Sequence, residues 1–348
     1  MRALFFGLGG IGQRHLRNLR ELLGDDLEVH AYRVRRENLR LTDTLEVGGH
    51  DLEDRYAVTV HASAEAALAQ KPDAAFICNP TSMHVDTALA CARAGVPMFL
   101  EKPVSDDLAG IGALQAAVEA NQVPVYVGFQ LRFHPGVRAV RALLERGALG
   151  RVMSAQAEIG EFLPNWHRYE DYRQGYAARA ALGGGVIATQ THEIDLLYWF
   201  FGLPRSLSTA GGKLSDLELD VEDTASTLMR YDGVSGNFPV LLHQDYLQRP
   251  PTRTLKLVGT DGIVALDLVD NHLIHHAQDG SVLSEDHFDG FVRNDMFRDQ
   301  MRHVLGCLSG AEPPLVGLYD GTQSLRLTAA MRLSLAERRE VQLSEITA

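Results

Sequence analysis

The sequence predicts an α/β fold in two parts, a doubly wound parallel sheet followed by an α+β half built on a large, mostly antiparallel open sheet. Three observations carry that expectation. The chain opens with a short apolar strand pattern that runs into glycines at 7, 9 and 12 and then into an amphipathic helix pattern, the order of a parallel βα unit. Strand and helix patterns keep alternating to about residue 128. Beyond Gly128 the rhythm changes to consecutive strand patterns joined by turns such as Tyr231-Asp232-Gly233 and Thr260-Asp261-Gly262, which make antiparallel neighbours. A chain of 348 residues is long for one core and comfortable for two. The expected division is 1–128 and 129–348, with room for the last helix to pack back on the first part.

In order, short apolar runs predict strands near 2–6, 27–32, 57–60, 74–78, 97–100 and 124–128. Helical spacing of apolar residues predicts helices near 11–23, 64–69, 82–94 and 106–121. The charged, glycine-containing stretch 35–55 carries no regular pattern. In the second half a helix at 137–145 leads into an alternating strand at 151–159 and a helix at 186–200. Strands follow near 205–213, 223–231, 235–246, 253–259, 262–268 and 271–276, and helices at 294–309 and 320–338 close the chain. An open sheet has one face for these helices and another for a partner subunit.

The first turn says what that parallel half binds. Gly7, Gly9 and Gly12 have G-x-G-x-x-G spacing between a strand and a helix, the setting in which the motif holds a dinucleotide. Gly7 permits the tight turn, Gly9 lets backbone N–H groups approach a pyrophosphate, and Gly12 lets the helix pack close to the strand. Gly10 and Ile11 lie in the same turn. About twenty residues on, a carboxylate would accept the ribose 2′-OH of NAD. Tyr32 and Arg33 stand there instead, followed by Arg35 and Arg36, and guanidinium forks suit a 2′-phosphate. NADP is the favoured cofactor, with NAD kept open.

Composition narrows the classes. With 45% hydrophobic and 22% charged residues the chain falls among ordinary globular proteins, and no apolar run approaches a membrane span. The first strand begins at residue 2 and leaves no room for a cleavable leader, so the expected location is the cytoplasm. A net charge of −12 argues against nucleic-acid and anionic-membrane partners and makes local groups of arginines informative. Cys78, Cys91 and Cys307 are scattered, and no Cys/His/Asp/Glu group, His275-His276 included, has metal-ligand spacing. No metal is expected.

Four further motifs follow in order: ICNPTSMH at 77–84, EKP at 101–103, RGALGRV at 146–152 and GGGVIATQTHEIDLLYWFFG at 183–202. Lys102 follows the fifth strand at its carboxyl end, the edge at which doubly wound sheets bind ligands. A desolvated Lys there can bond a substrate hydroxyl and exchange its proton; the alternative is a surface Lys paired with Glu101. His192 sits about a turn inside a helix, with Asp195 at i+3 on the same face. A His titrating near neutrality can pass a proton to or from a hydroxyl whose carbon exchanges hydride; the alternative is a packed histidine paired with Asp195.

Together with the glycine turn, these motifs resemble the glucose-fructose oxidoreductase, inositol dehydrogenase and rhizopine catabolism (Gfo/Idh/MocA) family over essentially the whole chain. GFQLRFHP at 128–135 and WHRYEDYRQGYAARAALGGG at 166–185 look like a subgroup associated with bacterial sugar biosynthesis. The resemblance implies a Rossmann domain, hydride transfer between a nicotinamide and a secondary carbinol of a sugar or cyclitol, and catalytic roles for Lys102 and His192. It places Asn79 and Pro80 beside the nicotinamide half, and His84, Glu101 and Gln130 are further cofactor candidates. A homo-dimer or homo-tetramer through the open sheet is expected. Relatives usually carry an Asp one turn before the histidine, where this chain has Thr189 and Ala188. Either Lys102 and His192 suffice, or another acid substitutes, or the chemistry is altered.

Residues 166–179 alternate aromatic and basic side chains: Trp166, His167, Arg168, Tyr169, Tyr172, Arg173, Tyr176 and Arg179. Such a loop suits stacking on a pyranose and capture of a phosphate or carboxylate, or else a dimer contact. Trp166, Tyr169, Arg173 and Arg179 are substrate candidates, with Arg132, Thr189, His192 and Asp195. The expected function is an NAD(P)-dependent oxidoreductase of an anionic or nucleotide-linked sugar. Its rivals are a cyclitol dehydrogenase and an NAD(P)-binding sensor without turnover.

Overall fold

The computed structural model describes residues 1–34, 38–42, 44–167, 169–233 and 238–347. Its first half runs β1 (Arg2–Phe6), α1 (Gly10–Leu23), β2 (Glu28–Tyr32), β3 (Arg40–Leu41), β4 (Val47–Gly49), α2 (Leu52–Tyr56), β5 (Val58–His61), α3 (Ala64–Leu68), β6 (Ala74–Ile77), α4 (His84–Arg93), β7 (Met98–Leu100), α5 (Ile111–Ala120) and β8 (Val125–Val127). Six of these strands form one sheet in the order β5-β2-β1-β6-β7-β8, every neighbouring pair parallel. Strands such as β6 and β7 are buried throughout because helices cover both faces, which explains their continuous apolar runs. Strand order reverses between β1 and β6, so the ligand crevice opens at their carboxyl ends. The stretch 35–55, without a pattern in the sequence, contains the β3–β4 pair and α2; Arg35 and Arg36 lie outside the described residues.

The second half comprises α6 (Pro135–Glu145), β9 (Val152–Gly160), α7 (Val186–Thr189), α8 (Thr191–Phe201), β10 (Ser206–Gly212), β11 (Thr224–Tyr231), β12 (Phe238–Asp245), β13 (Thr252–Gly259), β14 (Gly262–Asp267), β15 (His272–Ala277), β16 (Val282–His287), α9 (Arg293–Leu308), α10 (Leu318–Glu337) and β17 (Val341–Gln342). Nine strands form the second sheet, β16-β15-β14-β13-β9-β12-β11-β10-β17. It is antiparallel except where β9 and β12 run together. Burial alternates along β11 and β13, so one face packs against the helices and the other is open, with Leu241 half exposed on it. The last helices return to the first half: Met301, Val304 and Cys307 of α9 share a core with Leu16 and Leu19 of α1, and Leu325 of α10 packs with Val104 and Val127.

Besides β3, β4, α2 and the two-residue β17, two elements of the second half differ from expectation. β16 was not expected, because all six of its residues are exposed and its sequence carries no apolar alternation. The helix expected over 186–200 is two helices, broken at Gln190 (φ −92°, ψ 49°). The break is held from outside: the Gln190 side chain donates to the Asp245 carbonyl (2.9 Å), and the Gln244 amide donates to the Gln190 carbonyl (2.8 Å).

Candidate active site

A cavity of about 840 Å³ runs from the glycine turn, across the carboxyl ends of β1 and β6, to the α7–α8 break and β13. At the turn Gly7 has φ +92°, and a Cβ there would stand 2.9 Å from the Cys78 carbonyl oxygen; a Cβ on Gly12 would stand 2.5 Å from that of Gly7. Only glycine fits either position. A Cβ on Gly9 would meet nothing within 4 Å, so the backbone there faces open space. The Gly9 N-cap supplies no side-chain bond, and beyond the Gly10 amide, which bonds the Tyr169 hydroxyl, the first N–H groups of α1 remain for an anion. These features fit a dinucleotide pyrophosphate. Ile11 lines the same end. Tyr169, a substrate candidate by sequence, stands over this turn instead, its hydroxyl 3.1 Å from where a Cβ of Gly10 would lie.

Asn79 and Pro80 line the middle of the cavity. The Asn79 side-chain amide donates to the Thr87 hydroxyl (2.9 Å), while its side-chain oxygen Oδ1 is buried without a partner and is free to accept from a bound amide. His84 also lines the cavity, but its ring lies between the carbonyls of Pro103 (2.8 Å) and Asn79 (3.0 Å). Burial lowers its pKa against the opposing pull of the two carbonyls, and a neutral ring donates to one of them at a time. At the adenosine end Tyr32 and Arg33 are both present, with Arg33 buried and 2.7 Å from Glu53.

Lys102 and His192 come together. Breaking the helix at Gln190 leaves the Thr189 carbonyl outside a helical ladder, and the Lys102 ammonium donates to it (2.7 Å). Burial lowers the Lys102 pKa to about 8, with Glu101 opposing and Arg253 assisting. Glu101 does not pair with the Lys102 side chain; it is buried against His15 of α1 (2.6 Å). Gln130 donates to Nε2 of His192 (2.8 Å), whose Nδ1 is buried and unpartnered. The sequence suggests a His titrating near neutrality. Instead burial, helped by the cations Lys102, Arg253 and Arg293, holds it well below the ordinary histidine range, so it is a neutral imidazole. The Thr189 hydroxyl turns away from Lys102, donating to the Gly185 carbonyl (2.9 Å) and contacting the Tyr246 hydroxyl.

Other substrate candidates are redistributed. Arg132 and Asp195 are not among the cavity-lining residues: they form a buried two-point ion pair (2.9 and 2.7 Å), and Ser324 donates to the same carboxylate. Asp195 therefore does not orient His192. Arg173 and Arg179 lie outside the lining, tied to Asp171 and Glu218 and to Asp220. Arg168 is outside the described residues. Trp166 does line the cavity, edge-on to Tyr246, with its indole N–H unpartnered.

Two cations that sequence reasoning missed take the place of these arginines. Arg253 of β13 bonds Glu193 (2.7 Å), and its Nη2 is buried without a partner. Arg293, at the start of α9, reaches the same cavity. One signal existed: Arg253 shares strand parity with buried Leu255 and Leu257, and a charge in core register is seldom idle. Glu161, Tyr176 and Gln248 complete this end. Among the described residues no helix is long and apolar enough to cross a membrane.

Residues 1–129 match the family model described as "Oxidoreductase family, NAD-binding Rossmann fold", and residues 137–265 match "GFO/IDH/MocA C-terminal domain". A myo-inositol 2-dehydrogenase of Thermotoga maritima is 24% identical across 99% of both chains. An oxidoreductase of Agrobacterium radiobacter, solved with NAD+, L-tartaric acid and magnesium, superposes with a TM-score of 0.80 at 18% identity, covering 100% of this chain and 99% of that one. The WlbA dehydrogenase of Bordetella pertussis, solved with NADH and UDP-GlcNAcA, superposes with a TM-score of 0.79 at 20% identity over 98% of each. With an NAD-binding Rossmann half, a C-terminal open sheet and the EKP lysine set in one cavity, this chain belongs to the Gfo/Idh/MocA family of oxidoreductases.

Proposed function

We propose that the chain oxidises a secondary hydroxyl of an anionic sugar derivative, or reduces the corresponding ketone, with Lys102 as the group that takes the hydroxyl proton in one direction and returns it in the other. A bound nicotinamide supplies the hydride acceptor or donor. The single observation that carries this reading is one cavity in which Lys102, neutral His192 and the cations Arg253 and Arg293 lie beyond the glycine turn. Lys102 is anchored through its ammonium to the Thr189 carbonyl, and its pKa of about 8 lets it give and take a proton near neutrality. His192 adds a neutral ring held by Gln130, which can accept or donate a hydrogen bond without carrying charge. Arg253, with Nη2 unpartnered, and Arg293 suit a carboxylate or phosphate on the substrate.

The adenosine end supports NADP over NAD through Arg33. Because Glu53 already holds that guanidinium, the preference is small, under about tenfold in Kd, and Glu53→Gln widens it. The open sheet face supports a homo-oligomer, to be read by light scattering with Leu241→Asp as the disrupting variant. The activity test is nicotinamide absorbance with NAD+ and NADP+ against UDP-GlcNAcA, UDP-GlcNAc and myo-inositol. Turnover of UDP-GlcNAcA, lost in Arg253→Gln with cofactor binding intact, supports the proposal. Faster turnover of uncharged myo-inositol than of every anionic sugar overturns it in favour of the cyclitol reading, which the full-length similarity to an inositol dehydrogenase favours.

A further inference from the structure

A second constellation stands on the open face of the C-terminal sheet, outside the cavity lining. β15 and β16 pair with His272 opposite His287, and alternate residues of a strand share a face. Glu285, two residues before His287, therefore joins them, while Leu273 and His275 point into the core. The two imidazoles stack at 4.3 Å with their planes 1° apart. An oxygen of Glu285 lies 2.9 Å from Nε2 of His272 and 3.7 Å from Nε2 of His287. One donor atom from each residue falls within 4.8 Å of the other two. A tetrahedral ion with Zn–N and Zn–O bonds of about 2.0–2.1 Å spaces its ligands roughly 3.3–3.4 Å apart, and because a nitrogen lone pair lies in its ring plane, closing on an ion takes a rotation of at least one of the two stacked rings as well as an approach of the donor atoms. All three side chains are at least partly exposed, which gives an ion a path in.

We propose that His272, Glu285 and His287 form a binding site for a borderline divalent cation of the Zn²⁺, Ni²⁺ or Cu²⁺ class. Two imidazole nitrogens and one carboxylate oxygen bind it, and at least one coordination position stays open for water or a donor from another molecule. The imidazole pair discriminates against Mg²⁺ and Ca²⁺, which take oxygen ligands. Asp267, opposite His272 on β14, is engaged elsewhere, with its Oδ1 accepting the amides of Val269 and Asp270. The sequence expectation of no metal rested on spacing along the chain. This site depends on hairpin register across a strand the sequence did not announce.

The test titrates the full chain, stripped with chelator, with Zn²⁺ alone by calorimetry, and with Cu²⁺ by electron paramagnetic resonance. Expected are one equivalent bound per chain and nitrogen hyperfine structure from two imidazoles. His272→Ala and His287→Ala should each weaken Zn²⁺ binding by roughly tenfold or more, and the double variant should lose it. Glu285→Gln should weaken it less, Mg²⁺ should not compete, and NADH binding should be unchanged throughout. An unaltered isotherm in the double variant, assigning the metal to other histidines, or competition by equimolar Mg²⁺, overturns the proposal.

Discussion

Lys102 should titrate near pH 8, and the structure says how much chemistry that places within reach. Its ammonium is moved by burial from the usual 10.5 to about 8. At pH 8 an unshifted lysine would be about 0.3% neutral, whereas Lys102 is about half neutral, a gain of roughly 150-fold in available base. The neutral amine can be measured without knowing the substrate. Competitive labelling with acetic anhydride from about pH 6 to pH 11, read by peptide mass spectrometry, reports its midpoint. Arg253 lowers the Lys102 pKa and Glu193 raises it, so Arg253→Gln removes the cation and leaves the carboxylate, moving the midpoint to higher pH. If a sugar is turned over, the rising limb of its oxidation rate should move with it, and Lys102→Met should cost about 10²-fold or more. A labelling midpoint above pH 10 in the unmodified protein, or one that ignores Arg253→Gln, refutes the reasoning.

His192 should make the fold acid-sensitive. With its folded pKa below the ordinary 6.5, the unfolded chain binds the extra proton, so stability is lost as pH falls below about 6.5, by up to about 1.4 kcal/mol per pH unit from this group. Urea unfolding from about pH 5 to pH 7 should show a shallower dependence in His192→Gln. Asp195→Asn should destabilise by about 3–5 kcal/mol, because it leaves Arg132 buried and unpaired. Arg132→Met with Asp195→Leu should recover most of that loss in thermal melts, and a KM unchanged in the double variant would separate it from any substrate contact. Thr189→Val should leave the Lys102 labelling midpoint within about 0.3 unit, since the lysine is held by a carbonyl that valine keeps; a larger shift would assign the hydroxyl a role the geometry denies it.

Local signals were legible and non-local ones were not. The glycine turn, Lys102 after β7 and His192 on α8 are each defined by a few adjacent residues on one element, and the sequence displays them. Long-range charge pairing has no such local mark. Arg132 and Arg179 looked available for a substrate because Asp195 and Asp220 become their partners only when the chain folds, whereas the Asp171 partner of Arg173 stands two residues away and was there to be read. Arg253 and Arg293 were overlooked because β13 and the start of α9 reach the cavity through sheet order. The helix break at Gln190 is imposed by Gln244 and Asp245 of a distant strand, so a continuous helical pattern could not reveal it.

The break carries a consequence for how this site can change over time. A carboxylate that steadies a lysine is erased by one substitution, whereas the acceptor here belongs to the main chain and survives every replacement at position 189 that preserves the bend. The side chain at 189 is thereby released to vary, and constraint passes to Gln190, Gln244 and the Asp245 backbone, whose bonds keep the bend open. With threonine at 189 the chain still holds its lysine through the main chain, and the residues whose replacement would release it are those that shape the backbone rather than those that face the substrate.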